Sequence, residues 1–143
     1  MTQQLHIIKL SVGTEDVADL AAWQADRRWQ TAEGYPRHIT RMWPKREDEI
    51  LGEGSLYWVI KGVVQCRQRI IRFDEVNGAD GIRRCAFVLD PEIVRVANVQ
   101  RKPFQGWRYF KGEDAPPDLS KSRAGEDVLP ASLQQALAEI GVL

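Results

Sequence analysis

The chain is poor in the side chains that carry most enzymatic chemistry: its 143 residues include only two histidines, two cysteines and two methionines. Two cysteines cannot staple a small secreted fold. Cys66 and Cys85 lie in strand-like apolar stretches, where a free thiol behaves as a small hydrophobe. A metal site built on them needs two further ligands that no local spacing supplies. The Gly-x-Ser-x-Gly elbow, the Walker loop, His-Glu-x-x-His and Cys-x-x-Cys are all missing. Gly78-Ala-Asp-Gly81 has the outline of Gly-x-x-Gly, but it carries an acid and joins two strand-like runs, so it reads as a turn. The longest apolar runs, Leu56–Ile60 and Cys85–Leu89, fall far short of the ~18 residues of a membrane span, and the opening residues lack the basic and apolar regions of a signal peptide. The expectation is a cytoplasmic protein with reduced thiols, no membrane partner, no metal and no cofactor.

Net charge is also missing, since 20 Lys and Arg balance 20 Asp and Glu. The balance hides an asymmetry: residues 1–61 sum to −1, residues 62–112 to +5 and residues 113–143 to −4. A basic middle interleaved with aromatics suits a polyanion, whose counterions Lys and Arg displace. The same charges also suit a solvated sheet whose arginines pair with acidic flanks. With 43% hydrophobic and 28% charged residues, the chain has ordinary globular composition. Its length suits one domain with one sizeable core.

The pattern begins with a β-branched run, Leu5–Val12, read as a buried strand. Thr14, Glu15 and Asp16 then predict a helix start, with the helix running to about Thr31 before Gly34-Tyr35-Pro36. Arg37–Trp43 predicts a second strand, and Pro44 with Glu47-Asp48-Glu49 a short second helix facing acids to its dipole. Leu56–Val76 alternates as one long strand with Gly62 inside it, and its apolar phase slips near Gln68, the mark of a bulge or bend. Asn77–Gly81 is a hairpin loop, followed by strands over Ile82–Asp90 and Ile93–Val99 and a short edge strand within Pro103–Phe110. Ala115–Gly125 is a connector, and Pro130 opens a terminal helix with Leu133, Leu137 and Ile140 on one stripe. The order predicts α+β: a partly closed antiparallel β-barrel with an N-terminal helix, a short second helix and a C-terminal helix. Residues 1–119 form one domain, and residues 120–143 form a connector and C-terminal helix packed on it.

Thr40–Arg46, Gly54–Ile70, Gly81–Pro91, Pro103–Phe110 and Ala115–Leu119 together resemble the bacterial, mainly alphaproteobacterial, domain-of-unknown-function 1489 family. That resemblance covers most of the chain to about Leu119 and implies no established activity. The element order is also similar to the PUA-like superfamily with its EVE and ASCH branches. That likeness implies a small barrel that binds RNA or modified bases, but as fold-level analogy it transfers no residue.

The leading functional expectation is therefore an RNA- or modified-base-binding module without chemistry of its own. Arg41, Lys45, Arg46, Lys61, Arg67 and Arg108 are the expected phosphate contacts, with Trp43 and Trp107 stacking on bases; for Trp107 a core role weighs equally, and for Trp58 the core is favoured. A second reading is a small-molecule enzyme, hydrolase-like, with a pocket near His38 and Trp58; Ser55 has no evident base beside it in sequence, and His6 reads as structural. A third is a protein-interaction module in which the acidic segment from Glu113 docks on the basic strands and screens them.

Overall fold

A computed structural model describes residues 4–119, so the connector and C-terminal helix expected over 120–143 lie outside the described residues. Seven strands dominate: β1 (Leu5–Leu10), β2 (Arg37–Thr40), β3 (Ser55–Ile60), β4 (Val63–Asn77), β5 (Arg83–Leu89), β6 (Val94–Gln100) and β7 (Trp107–Lys111). Two helices accompany them, α1 (Val17–Gln24) and α2 (Glu47–Ile50).

The expected first helix is shorter than the pattern implied. Asp16, not Thr14, caps it, accepting a hydrogen bond from the Asp19 N–H at 2.7 Å. After Gln24 the chain tightens into a 3₁₀ turn, Arg27–Trp29, because Asp26 accepts the Arg28 N–H and starts a new cap inside the anticipated helix.

The expected long strand is a hairpin. Lys61 and Gly62 both take positive φ, 52° and 77°, and Ile60 pairs directly with Val63. A two-residue loop with two left-handed residues matches strand twist, and glycine makes the second position inexpensive. The phase slip is real and double: Gln65 is the extra residue against β3, and Ile71 the extra residue against β5. These bulges flank Gln68 and bend β4.

β4 is consequently shared. Its first half pairs β3 on one edge and β6 on the other, while its second half pairs β5, which pairs β2. β1 lies parallel to β3 and antiparallel to β7. The strand order β2-β5-β4-β3-β1-β7, with β6 beside β4, leaves an open sheet that is not wholly antiparallel, where a partly closed antiparallel barrel was expected. Side chains, not backbone bonds, fill the space between the two end regions. Phe87 of β5 meets Trp107 of β7 edge-on at 6.0 Å, and the Trp107 indole N–H donates to the Met42 carbonyl at 2.9 Å.

Alternation along the strands builds two cores. Leu5, Ile7, Leu56, Trp58, Ile60 and Phe87 face α1 and the folded-over β5–β2 half; Ile8, Tyr57, Val59, Val64, Val96 and Phe110 face the other way. The second core is covered by Phe104 and by a strap after β7. The strap ends along β6, where Ala97 N–H donates to Pro117 O and Leu119 N–H to Arg95 O, both at 2.9 Å.

Candidate ligand-binding cleft

One cleft of about 300 Å³ opens where the C-terminal end of β1 passes under α1. β1 contributes Lys9 and Leu10, α1 contributes Trp23 and Gln24, and the 3₁₀ turn adds Trp29. β2 supplies Arg37 and His38, and Trp58 of β3 forms part of the wall. Every ionisable side chain on this lining is cationic or imidazole, and no carboxylate lines it.

A buried amide network sets the floor. Gln68, fully buried, and Gln24 exchange amide hydrogen bonds at 2.7 Å in both directions. The Gln68 carbonyl also accepts the Trp58 indole N–H at 2.8 Å, and its amide donates to Asp90 O at 3.0 Å. All capacity of Gln68 is used, so the network holds Trp58 and α1 in one arrangement. His38 stands edge-on to Trp58 at 5.6 Å.

Two nitrogens of the lining residues, Arg37 Nε and His38 Nε2, are buried without a hydrogen-bond partner among the described residues. Burial, reinforced by the nearby Lys9 charge, pushes the His38 imidazole down to about 4, so it is neutral at pH 7 with one donor and one acceptor nitrogen. Burial also pushes the Lys9 amine below its ordinary value. At the mouth Trp23 and Trp29, 52% and 39% exposed, lie 5.9 Å apart at 41°. Large exposed apolar rings and buried orphan polar atoms are each costly in isolation, and their coincidence makes this cleft the candidate site.

The sequence-predicted residues fall into several places. His38 and Trp58, expected to share a pocket, line this cleft together. Trp58 is also core, as favoured. Arg41, exposed, follows β2 directly. Trp43 is half-buried, with the Arg83 guanidinium 4.2 Å above its ring and its own Nε1 unpartnered. Lys45 and Arg46 are exposed; their backbone N–H groups donate to the Tyr109 hydroxyl at 2.8 and 3.3 Å, joining the loop after β2 to β7. Arg46 is engaged by Glu49 and Lys61 by Glu15. Arg67 lies on the opposite face, bonded to both carboxylate oxygens of Asp118 at 2.7 and 2.6 Å and to Ser55 Oγ at 3.0 Å. Arg108 is exposed beside Phe104, whose ring it covers at 5.2 Å. Trp107 is corrected to a core residue: at 5% exposure, with its N–H donated to Met42, it offers no face to a base. The set is therefore not one surface: residues 41–46 meet β7, while Lys61 and Arg67 lie apart from them.

The enzyme-like features are occupied structurally. His6 Nδ1 accepts the Ser55 backbone N–H at 2.9 Å, and burial with Arg67 nearby pushes its imidazole down to about 4. Ser55 Oγ is held by Arg67 rather than by an imidazole, so it lacks the base a nucleophilic serine needs. Cys66 and Cys85 are buried, and burial raises both thiols to about 12. Among the described residues no group of three or more His, Cys, Asp or Glu is placed to hold a metal ion, and no helix is long and apolar enough to cross a membrane.

Sequence reasoning missed Lys9, Arg37, Trp23 and Trp29 as site residues. Lys9 carried a signal, a lone cation inside an apolar strand. The others come from separate elements that only the tertiary fold brings together.

By fold and site, this is a small β-sheet protein with a cationic, tryptophan-lined cleft. The chain belongs to the family described as Protein of unknown function (DUF1489), whose model matches residues 7–143. Nothing among curated proteins matches it, and nothing among solved structures does.

Proposed function

We propose that the protein is a non-catalytic binding module whose cleft takes a flat, anionic ligand, a nucleobase carrying phosphate. The observation that carries this reading is the cleft lining itself. Trp23, Trp29 and Trp58, together with Lys9, Arg37 and His38, line one space without a carboxylate. Tryptophan faces attract planar rings, and stacking on an aromatic side chain is worth about 1–3 kcal/mol per base. Lys9 and Arg37 oppose a negative charge that no protein group neutralises in the cleft.

Relative to the sequence expectation, recognition moves from the dispersed surface arginines to the cleft beside His38. A modified base is accommodated within the same chemistry. The hydrolase-like alternative at this pocket lacks a nucleophile on its lining with an adjacent base.

The test is tryptophan fluorescence titration of the purified chain with uridine and adenosine monophosphates, the parent nucleosides and inorganic phosphate. The expected result is quenching by the monophosphates, weaker quenching by nucleosides, and at least a tenfold loss of monophosphate affinity in a folded Lys9→Gln, Arg37→Gln variant. Absence of quenching by every monophosphate at millimolar concentration overturns the reading.

A further inference from the structure

Resting on that reading, the geometry points to a second anion site, a notch formed by Arg101, Lys102 and Arg108, so that the ligand is a base within a single nucleic-acid strand rather than a free nucleotide. The notch, of about 340 Å³, lies under the β6–β7 loop and is completed by Gln100, Pro103 and Phe104; no acidic residue lines it. Arg101, Lys102 and Arg108 take part in no ion pair among the described residues. Arg28, Arg46, Lys61, Arg67, Arg72, Arg83 and Arg84 are each paired with a carboxylate, while Arg27, Arg41, Lys45, Arg69 and Lys111 are unpaired among the described residues but do not line this notch. Cations left unpaired beside one another repel, and the arrangement is relieved by a polyanion.

The notch is held in shape. Arg108 covers the Phe104 ring at 5.2 Å and Arg101 lies 5.7 Å from the Phe110 ring. The Arg101 backbone N–H donates to Gly62 O at 2.8 Å, tying the loop to the β3–β4 turn. A guanidinium held over an aromatic ring by cation–π attraction retains N–H donors for phosphate oxygens.

Its position relative to the cleft supplies the second part of the argument. Lys9 pairs in register with Trp107 and Ile8 with Arg108, so Lys9 and Arg108 sit one step apart on neighbouring strands. Successive side chains point to opposite faces, which directs Lys9 into the cleft and Arg108 into the notch. Leu10 links the two, lining the cleft while packing in the second core with Phe104. The cleft and the notch thus both lie toward the C-terminal end of β1, on opposite faces of the same sheet. Val12, 86% exposed there, leaves that end uncovered. One flat-ligand cleft with a separate cationic notch at the same end of β1 matches a strand, whose negative charge repeats; a mononucleotide has nothing to place in the notch.

The experiment compares binding of uridine monophosphate with that of a short fluorescein-labelled oligouridylate and the matching deoxy strand, by anisotropy and tryptophan quenching across a salt series. The variants are Arg101→Ala, Lys102→Ala, Arg108→Ala together, and the single Lys102→Glu as a milder control of folding. The expected result is an oligonucleotide bound at least tenfold more tightly than the monophosphate. In the triple variant that advantage disappears, and the slope of log affinity against log salt becomes shallower by about 1–2, at about 0.7 per phosphate contact; monophosphate binding is unchanged. Equal affinity for strand and monophosphate, or an unaltered salt slope in the variants, overturns the strand inference while leaving the cleft reading intact. Strand binding that survives the Lys9→Gln, Arg37→Gln substitution but fails in the notch variant removes the cleft reading instead. Binding of neither probe removes both. A preference for the ribo or the deoxy strand identifies which nucleic acid is recognised.

Discussion

Acid should unfold this protein through its two histidines before its carboxylates contribute. His6 and His38 are both held near 4 by burial, against an ordinary value of 6.5. Between those values the unfolded chain binds a proton on each ring and the folded chain does not, so stability is fully present above pH 6.5 and falls as pH drops toward 4. Linkage then gives a loss of about 2 kcal/mol per histidine from pH 7 to pH 5, about 4 kcal/mol together. That is a large share of the ~5–15 kcal/mol typical of a domain. The Arg-paired carboxylates Glu33, Glu49 and Glu75 are held below their ordinary range. Their unfolded counterparts take up protons only near pH 4.5 and below, so the window above pH 5 isolates the histidines. Urea denaturation at pH 7, 6 and 5 measures the slope, and His6→Asn and His38→Phe should each remove about half of it. Asn is chosen at position 6 because its side-chain oxygen can still accept the Ser55 N–H. Stability that is level between pH 7 and 5, or ring protons titrating near 6.5 by NMR, refutes the reasoning.

Two substitutions test the fold that frames the cleft. Gly54→Ala should cost several kcal/mol or prevent folding, because a Cβ there collides with the Ile50 carbonyl and comes within 2.8 Å of the Leu5 carbonyl, backbone atoms with no room to give; thermal denaturation beside Gly52→Ala, whose Cβ meets nothing within 4 Å, separates collision from backbone strain. Gln68→Leu should destabilise by about 2–4 kcal/mol in urea denaturation, since it leaves the buried Trp58 N–H and the Gln24 amide without partners, and it should shift the Trp58 fluorescence.

What could be read from the sequence was local. The first strand, the acidic start of each helix and the Asn77–Gly81 turn follow from propensity and capping, which act over a few residues. The Lys61-Gly62 turn escaped because it exchanges the faces, setting Val64 beside Val59 in the second core, and the Gln65 bulge exchanges them back at Cys66, so the apolar even positions run on in the sequence as if one strand continued. The parallel pairing of β1 with β3 and the open ends of the sheet depend on contacts between segments some 50 residues apart, which no local pattern encodes. At the site, His38 and Trp58 could be singled out as ring-bearing residues on strands. Trp107 was ambiguous because strand alternation does not say which face is covered. Arg37 and Trp29 become neighbours only once the 3₁₀ turn lays Trp29 against β2.

The order of strands along the chain also governs how the molecule must assemble during synthesis. β3, β4 and β5 are successive neighbours joined by short turns, so this meander has low contact order and can zip as soon as it is made. β1 is synthesised before the other described strands, yet one of its partners is β3 and the other is β7, at Trp107–Lys111. Until nearly all of the described chain exists, Leu5–Leu10 is a β-branched, apolar strand with at least one bare edge, the kind of segment that pairs with other chains. Any truncation before Trp107 would make that nascent exposure permanent, so the seventh strand acts as the closing piece that turns an aggregation-prone start into the middle of a sheet.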